Sequence, residues 1–285
     1  MYELRPPAPA LSSFIEHYWF VRDDAGKPVD LRVDVFVDGR ADLVFNFGAP
    51  YLREVIGSGT AMQVRSTLDA QRLVPIRIVQ RGLVRIAGVR FHLGGLGAFA
   101  TGSLHTWTGL TPAPHRVLGA DVTLLEAALE RTQGVDAQAQ LLDAFFASHL
   151  STETSFSQFQ ALLRLLVEGD GRLAIATLAK RGKVTSRQLA RLFARYLGLP
   201  PKTTARVLRF QNALRALMRE PSPPLAEIAA SADYFDQSHF VKDFKKMTGG
   251  VPRGYRGYYP PTSPTDFAPN VVSFLQDPGP QGAAS

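Results

Sequence analysis

Asp236-Gln237-Ser238-His239-Phe240-Val241-Lys242-Asp243-Phe244-Lys245-Lys246-Met247 reads as a short amphipathic helix. Phe240, Phe244 and Met247 fall at i, i+4 and i+7, which makes one buried stripe. Asp236 is placed to cap the first turn, because its carboxylate can accept from an otherwise unpaired backbone N–H. Gln237, Ser238, His239, Lys242, Lys245 and Lys246 are left on the other faces. A hydrogen-bonding first turn followed by lysines suits a helix entering a DNA major groove. An ordinary surface helix has the same pattern, so the neighbouring chain must decide.

Upstream the pattern repeats. Leu173 to Arg181 reads as a helix that Gly182 stops, and Thr185 can cap a second helix, Ser186 to Leu197. Leu189, Leu192, Phe193 and Tyr196 form its inner side, while Arg187, Arg191 and Arg195 align at four-residue spacing on the other. Three guanidinium groups on one edge can track phosphates or read a groove; a solvated basic face gives the same spacing. Gly198-Leu199-Pro200-Pro201 ends that helix, and Lys202 to Arg219 restarts as a longer one. After the Pro-rich loop 220–224, Leu225 to Ala230 is a short helix and Ser231-Ala232-Asp233 a turn before the quoted stretch. The layout is therefore helix-turn-helix, linking helix, helix-turn-helix. At 1.5 Å per residue, a linking helix of roughly 18 residues spans roughly 27 Å, so with packing offsets the second helices could approach the ~34 Å of one DNA turn.

Charge supports this division. The chain has a formal charge of +7, but residues 172–258 hold 17 Lys or Arg against 5 Asp or Glu, while the remainder holds 15 against 20. A basic module on a mildly acidic protein favours a polyanionic partner. The basic residues are spread over several short helices instead of lining one long amphipathic helix, which argues against a membrane surface. No run approaches the ~18 apolar residues of a membrane span, and the N-terminus lacks a leader pattern. With no cysteine, disulfides, thiolate metal sites and thiol nucleophiles are excluded. These features together point to the cytoplasm.

The front of the chain is different. Leu31, Val33, Val35 and Val37 alternate with Arg32, Asp34 and Phe36, Asp38-Gly39 offers a hairpin turn, and Asp42 to Gly48 reads as the return strand. Further strand-like runs at 51–56, 75–80 and 83–91 suggest a small barrel or sandwich. Helical periodicity takes over at 123–132, 136–150 and 155–168. The expected fold class is α+β. It comprises a β-rich, barrel- or cupin-like domain over 1–120, a helical linker and dimerisation segment over 121–168, an all-α tandem helix-turn-helix domain over 169–258, and a Pro/Gly-rich tail over 259–285 in which 271–275 is a short apolar patch.

The module resembles the DNA-binding domain of AraC/XylS-family transcriptional regulators. In the first unit the resemblance rests on Leu178-Ala179, Thr185, Leu189, Arg191, Phe193, Gly198, Pro201 and Arg206. In the second it rests on Ile228-Ala229, Tyr234, Asp236, Ser238, Phe240, Phe244-Lys245, Gly249, Pro252 and Tyr255-Arg256. It implies that Ser186, Arg187, Gln188 and Arg191 face one groove, and Gln237, Ser238, His239 and Lys242 the next. Lys180, Lys183, Arg195, Lys202 and Lys245 would hold the DNA backbone. Two positions depart from the family pattern: Asp233 stands where the second turn usually has Gly, and Thr204 where an aromatic is usual. The segments 11–19, 37–48 and 88–95 resemble a β-rich domain of uncertain role found on some AraC-type proteins, which would sense a small molecule or hold a dimer.

Enzymatic signals in the front half are weak. His17, His92, His105 and His115 lack metal-site spacing, Ser58 lacks a nucleophile-elbow pattern, and Gly94-Gly95-Leu96-Gly97 has no following P-loop Lys. Trp19, Trp107, Phe45 and Phe47 can line a pocket or simply fill a core. No catalytic residue, metal ligand or cofactor is expected. The expected partners are double-stranded DNA, a small-molecule effector and, for an activator, RNA polymerase, with the protein a monomer or homodimer. The competing readings are a DNA-tethered enzyme with an unrecognised site in the β domain, and a non-specific architectural DNA-binding protein.

Overall fold

The computed structural model describes residues 2–22, 29–218 and 222–255. Arg219, Glu220, Arg256 and the expected tail over 259–285 lie outside the described residues. Among the described residues nine strands come first: β1 (Tyr2–Arg5), β2 (Ile15–Arg22), β3 (Val29–Val35), β4 (Asp42–Asn46), β5 (Tyr51–Val55), β6 (Ala61–Val64), β7 (Thr67–Asp69), β8 (Ile76–Gly82) and β9 (Arg85–Phe91). They form two antiparallel sheets, ordered β1-β2-β9-β4-β7 and β3-β8-β5-β6. The β-rich front half expected from period-two patterning is present.

The expected hairpin at Asp38-Gly39 is not. β3 pairs with β8 in one sheet, whereas β4 pairs with β7 and β9 in the other. The chain between them crosses from sheet to sheet instead of turning back. A hairpin tip would face water, yet Phe36, Val37, Asp38 and Ala41 are buried. Burial decides against the local turn signal, because Phe36 and Val37 have an apolar destination elsewhere.

Nine α-helices follow among the described residues: α1 (His115–Leu118), α2 (Val122–Arg131), α3 (Val135–Ser148), α4 (Thr154–Glu168), α5 (Ile175–Arg181), α6 (Ser186–Tyr196), α7 (Pro201–Met218), α8 (Leu225–Ser231) and α9 (Gln237–Thr248). Their amphipathic stripes meet in two principal cores. The larger joins the outer face of the five-stranded sheet (Tyr18, Phe45, Phe91) to Leu142 and Phe146 of α3, Phe159 and Leu162 of α4, and Leu189 and Phe193 of α6. The other is built by α7, α8 and α9 around Phe210, Phe240 and Phe244, and takes in Phe36 and Val37 from the crossover. The first helix-turn-helix unit thus shares a core with the β domain, and the second closes its own core over a piece of it.

Between the sheets lies a smaller apolar cluster of Trp19, Val44, Tyr51 and Val64, bounded at the crossover end by charge. Arg90 is buried there and pairs with Asp42 at 2.6 Å and with Asp38. Asp38 also accepts from the backbone N–H of Arg40, and Arg40 pairs with Glu16 at 3.0 Å. Asp69 receives Arg53 at 3.0 Å and Arg72 at 2.7 Å, and Arg72 donates onward to the Phe36 carbonyl. Burial opposes ionisation of Asp38, but Arg90, Arg72 and Arg40 outweigh it and hold the carboxyl below its usual range. Around Asp42 burial prevails and pushes the carboxyl up despite Arg90. Burial, with Arg90 and Arg40 nearby, lowers His17 to about 3, so its imidazole is neutral at physiological pH.

Candidate nucleic-acid interface

Both helix-turn-helix units follow one backbone plan. In the first, Val184 N–H donates to the Ala179 carbonyl and Lys183 adopts φ 51°. In the second, Tyr234 N–H donates to the Ala229 carbonyl and Asp233 adopts φ 59°. The left-handed turn residue is non-Gly in both, which local strain alone disfavours. Asp233 is compensated: its carboxylate pairs with Arg209 of α7 at 3.2 Å. Gly182 ends α5 but keeps a right-handed conformation, and the strained step falls on Lys183 instead.

Each second helix then starts with a side-chain cap. Thr185 Oγ1 accepts from Gln188 N–H at 3.2 Å while Gln188 Oε1 accepts from Thr185 N–H at 2.8 Å, a reciprocal capping box. Asp236 Oδ1 accepts from His239 N–H at 2.7 Å. Each helix ends on a glycine with positive φ, Gly198 at 84° and Gly249 at 82°, a conformation that strains L side chains. Both glycines also sit against the β domain. A Cβ on Gly198 would lie 2.8 Å from Thr108 Oγ1, and one on Gly249 would lie 2.6 Å from Ile56 Cγ2.

The carboxyl ends of α6 and α9 are therefore anchored. Thr108 Oγ1 donates to the Gly198 carbonyl at 2.8 Å and Ser103 Oγ to the Ala194 carbonyl at 3.2 Å. Val37 N–H donates to the Met247 carbonyl at 3.2 Å, and Gln211 of α7 donates to the Val37 carbonyl. The amino ends of both helices are free to face a partner. Ser186, Arg187, Gln188 and Arg191 are exposed on α6, and Gln237, Ser238, His239, Lys242 and Lys245 are exposed on α9. Lys180, Lys183 and Lys202 are exposed beside them.

Three of the candidate groups have protein partners, one of them His239, whose ring stands edge-on to Tyr234 with centroids 5.3 Å apart. Gln188 uses its Oε1 in the capping box, leaving its amide N–H groups for other contacts. Arg195 is half-buried and donates to both carboxylate oxygens of Glu153, at 2.8 and 3.1 Å. The same carboxylate accepts from Tyr196 Oη at 2.6 Å, and Tyr196 and Arg195 together hold it below its usual range. Glu153, at the start of α4, thus sits on the basic edge of α6, a contact sequence spacing could not reveal.

Offset by 51 residues, the two helices correspond residue by residue, and two buried positions differ in kind: Leu197, just past the end of α6, is replaced by Thr248, and the larger change lies within the helices. Leu192 in α6 is replaced by Asp243 in α9, which is buried and takes Arg206 of α7 in a two-point pair, Nε to Oδ2 at 2.8 Å and Nη2 to Oδ1 at 2.5 Å. Thr204, the other family departure, is fully buried with its hydroxyl donating to the Pro200 carbonyl at 3.1 Å, so α7 seats without an aromatic there.

A helix-turn-helix domain family matches residues 178–258, and a domain of unknown function (DUF6597) matches residues 3–112. The F1 operon positive regulatory protein of Yersinia pestis is 41% identical over 64 residues, a match that spans 22% of this chain and 21% of that protein. Among solved structures, ToxT from Vibrio cholerae is 10% identical with a TM-score of 0.43, covering 85% of this chain and 97% of ToxT. Unsaturated fatty acid-bound wild-type ToxT gives 10% identity and a TM-score of 0.41 over 82% and 96%. The AraC-like transcriptional activator CuxR gives 12% and 0.27 over 67% and 79%. TM-scores below 0.5 leave these as likenesses only. The two capped basic helices on a shared linking helix define a tandem helix-turn-helix protein. Residues 178–258 belong to that helix-turn-helix domain family, and the chain spans about a fifth of the length of the curated relative it matches.

Proposed function

We propose that this chain is a sequence-specific transcription regulator whose α6 and α9 read two successive major grooves of duplex DNA. The observation that carries the proposal is the pair of capped helices, each burying one stripe and presenting its amino-terminal half to solvent. Arg187 and Arg191 offer bidentate donors to guanine, Gln237 matches adenine, and Ser238 suits several base edges. Lys180, Lys183, Lys202 and Lys245 supply phosphate contacts, which fix register without reading sequence. The β domain fits a sensor role, with a small-molecule effector as ligand. Among the described residues no cluster of three or more His, Cys, Asp or Glu could hold a metal, and no helix is long and apolar enough to cross a membrane.

Selection of bound sequences from random duplex DNA tests the reading. Gln237→Ala and His239→Ala are each expected to relax preference in one half of the site and leave the other half intact, at a cost of roughly 1–3 kcal/mol per lost bidentate contact. Unchanged preference in both variants would put the wrong face of α9 in the groove. Equal affinity for selected and scrambled duplex across a salt series would favour the architectural alternative.

Glu153 bears on the same function, since its carboxylate competes with phosphate for Arg195. Glu153→Gln removes the charge yet keeps an acceptor for Tyr196 Oη. An exposed ion pair contributes little and is screened by salt, so affinity should rise by about a few-fold at most at low salt, with a smaller gain at high salt. Titration of the full chain with its selected duplex at two ionic strengths measures this.

A further inference from the structure

The two units differ by one residue in the turn. From the left-handed residue to the helix cap, the first unit has Val184 alone, whereas the second has Tyr234 and Phe235. Tyr234 takes the buried role of Val184, packing on Phe240 with ring centroids 5.3 Å apart. The added residue, Phe235, is 92% exposed, the most exposed large hydrophobic side chain among the described residues. It immediately precedes the cap Asp236 and the exposed Gln237, Ser238 and His239. A nearly fully solvated phenyl ring is unfavourable in the free protein, and the described residues cover almost none of it. It stands at the end of α9 that a groove-reading helix inserts first.

We infer that Phe235 is a specificity-determining residue that packs against the 5-methyl group of a thymine in the groove read by α9. The inference rests on the DNA-reading role proposed above. A phenyl ring cannot satisfy the hydrogen-bonding edges of guanine, adenine or cytosine, nor pair with phosphate. The thymine methyl is the one apolar feature that the major groove presents. The first unit has no counterpart, so thymine preference of this origin should appear in one half of the site only.

The test uses the full chain and its selected duplex, with deoxyuridine replacing thymine position by position, which removes the methyl and keeps the pairing. The half read by α9 is identified as the one whose preference relaxes in Gln237→Ala. Wild type is expected to bind about fourfold more weakly when the contacted thymine in that half is replaced, the effect of one buried methyl. Phe235→Ala should bind the thymine duplex more weakly by about that factor or more, and no longer distinguish it from the deoxyuridine duplex. Because almost none of Phe235 is buried against the described residues, the variant should fold as wild type, which circular dichroism checks. Specific binding with no deoxyuridine effect in wild type, or with the effect retained in Phe235→Ala, overturns the assignment and leaves groove reading intact. Equal affinity of wild type for selected and scrambled duplex overturns both.

Discussion

Arg206→Ala is expected to destabilise the second helix-turn-helix unit by roughly 3–5 kcal/mol, because it leaves the Asp243 carboxylate buried without its partner. The Arg206 guanidinium is about one-third exposed and the Asp243 side chain is 8% exposed, so the loss falls mainly on the aspartate. Asp243→Ala should cost less, since water reaches the arginine it abandons. The double variant Arg206→Leu with Asp243→Leu is the informative control. It copies the leucine that α6 already uses at the equivalent position, and replacement of a buried pair by packed apolar groups is often neutral or stabilising. Chemical denaturation of the three variants checks the order. If the double variant is as unstable as Arg206→Ala, the pair does more than fill space, and orientation of α9 on α7 becomes its role.

Arg90→Met should have an effect at least as large. It leaves Asp38, Asp42 and Glu16 facing one another without the charge that links them. Removing one partner of a buried pair costs roughly 3–5 kcal/mol, and here three carboxylates lose the same partner. Part of the loss will be recovered as these groups take up protons. The sign is fixed by Asp38: its carboxyl is held below its usual range, so it contributes stability above the unfolded-state pKa that is lost as pH falls through the folded one. Arg90→Met removes the largest of the charges that hold Asp38 down, which narrows the gap between its folded and unfolded pKa, so the variant should start from lower stability at neutral pH and lose less of it on acidification than wild type. Thermal melts of both proteins from neutral to mildly acid pH measure it; superimposable pH profiles would show that Arg90 is not the charge that holds Asp38 ionised.

Much of the helical half was legible because its signals are local. The stripe Phe240, Phe244, Met247, the cap Asp236, and the Thr185 and Gln188 spacing each need only one turn of helix to act, and each appears where periodicity placed it. The Thr185 and Gln188 spacing is itself a capping-box signature, although the family resemblance places Gln188 toward a groove. The crossover was not legible, because Asp38-Gly39 carries a turn signal while the destination of Phe36 and Val37 is set by α7 and α9, some 170 residues later. Glu153 could not be linked to Arg195 for the same reason: 42 residues, including all of α4 and α5, separate them. Phe235 was passed over because an aromatic beside Tyr234 and Phe240 reads as core, and only the extra turn residue turns it outward.

The anchoring of both reader helices has a consequence for how the chain comes apart. Removing the β domain would bare the apolar surface of Phe159, Leu162 and Phe193 and take Phe36 and Val37 out of the second core. Opening of the sheets and loosening of α6 and α9 therefore belong to one cooperative unit, and amide exchange in the two halves should share a common slow limit. Any molecule that tightens the sheets would quieten the readers as well, without touching either of them.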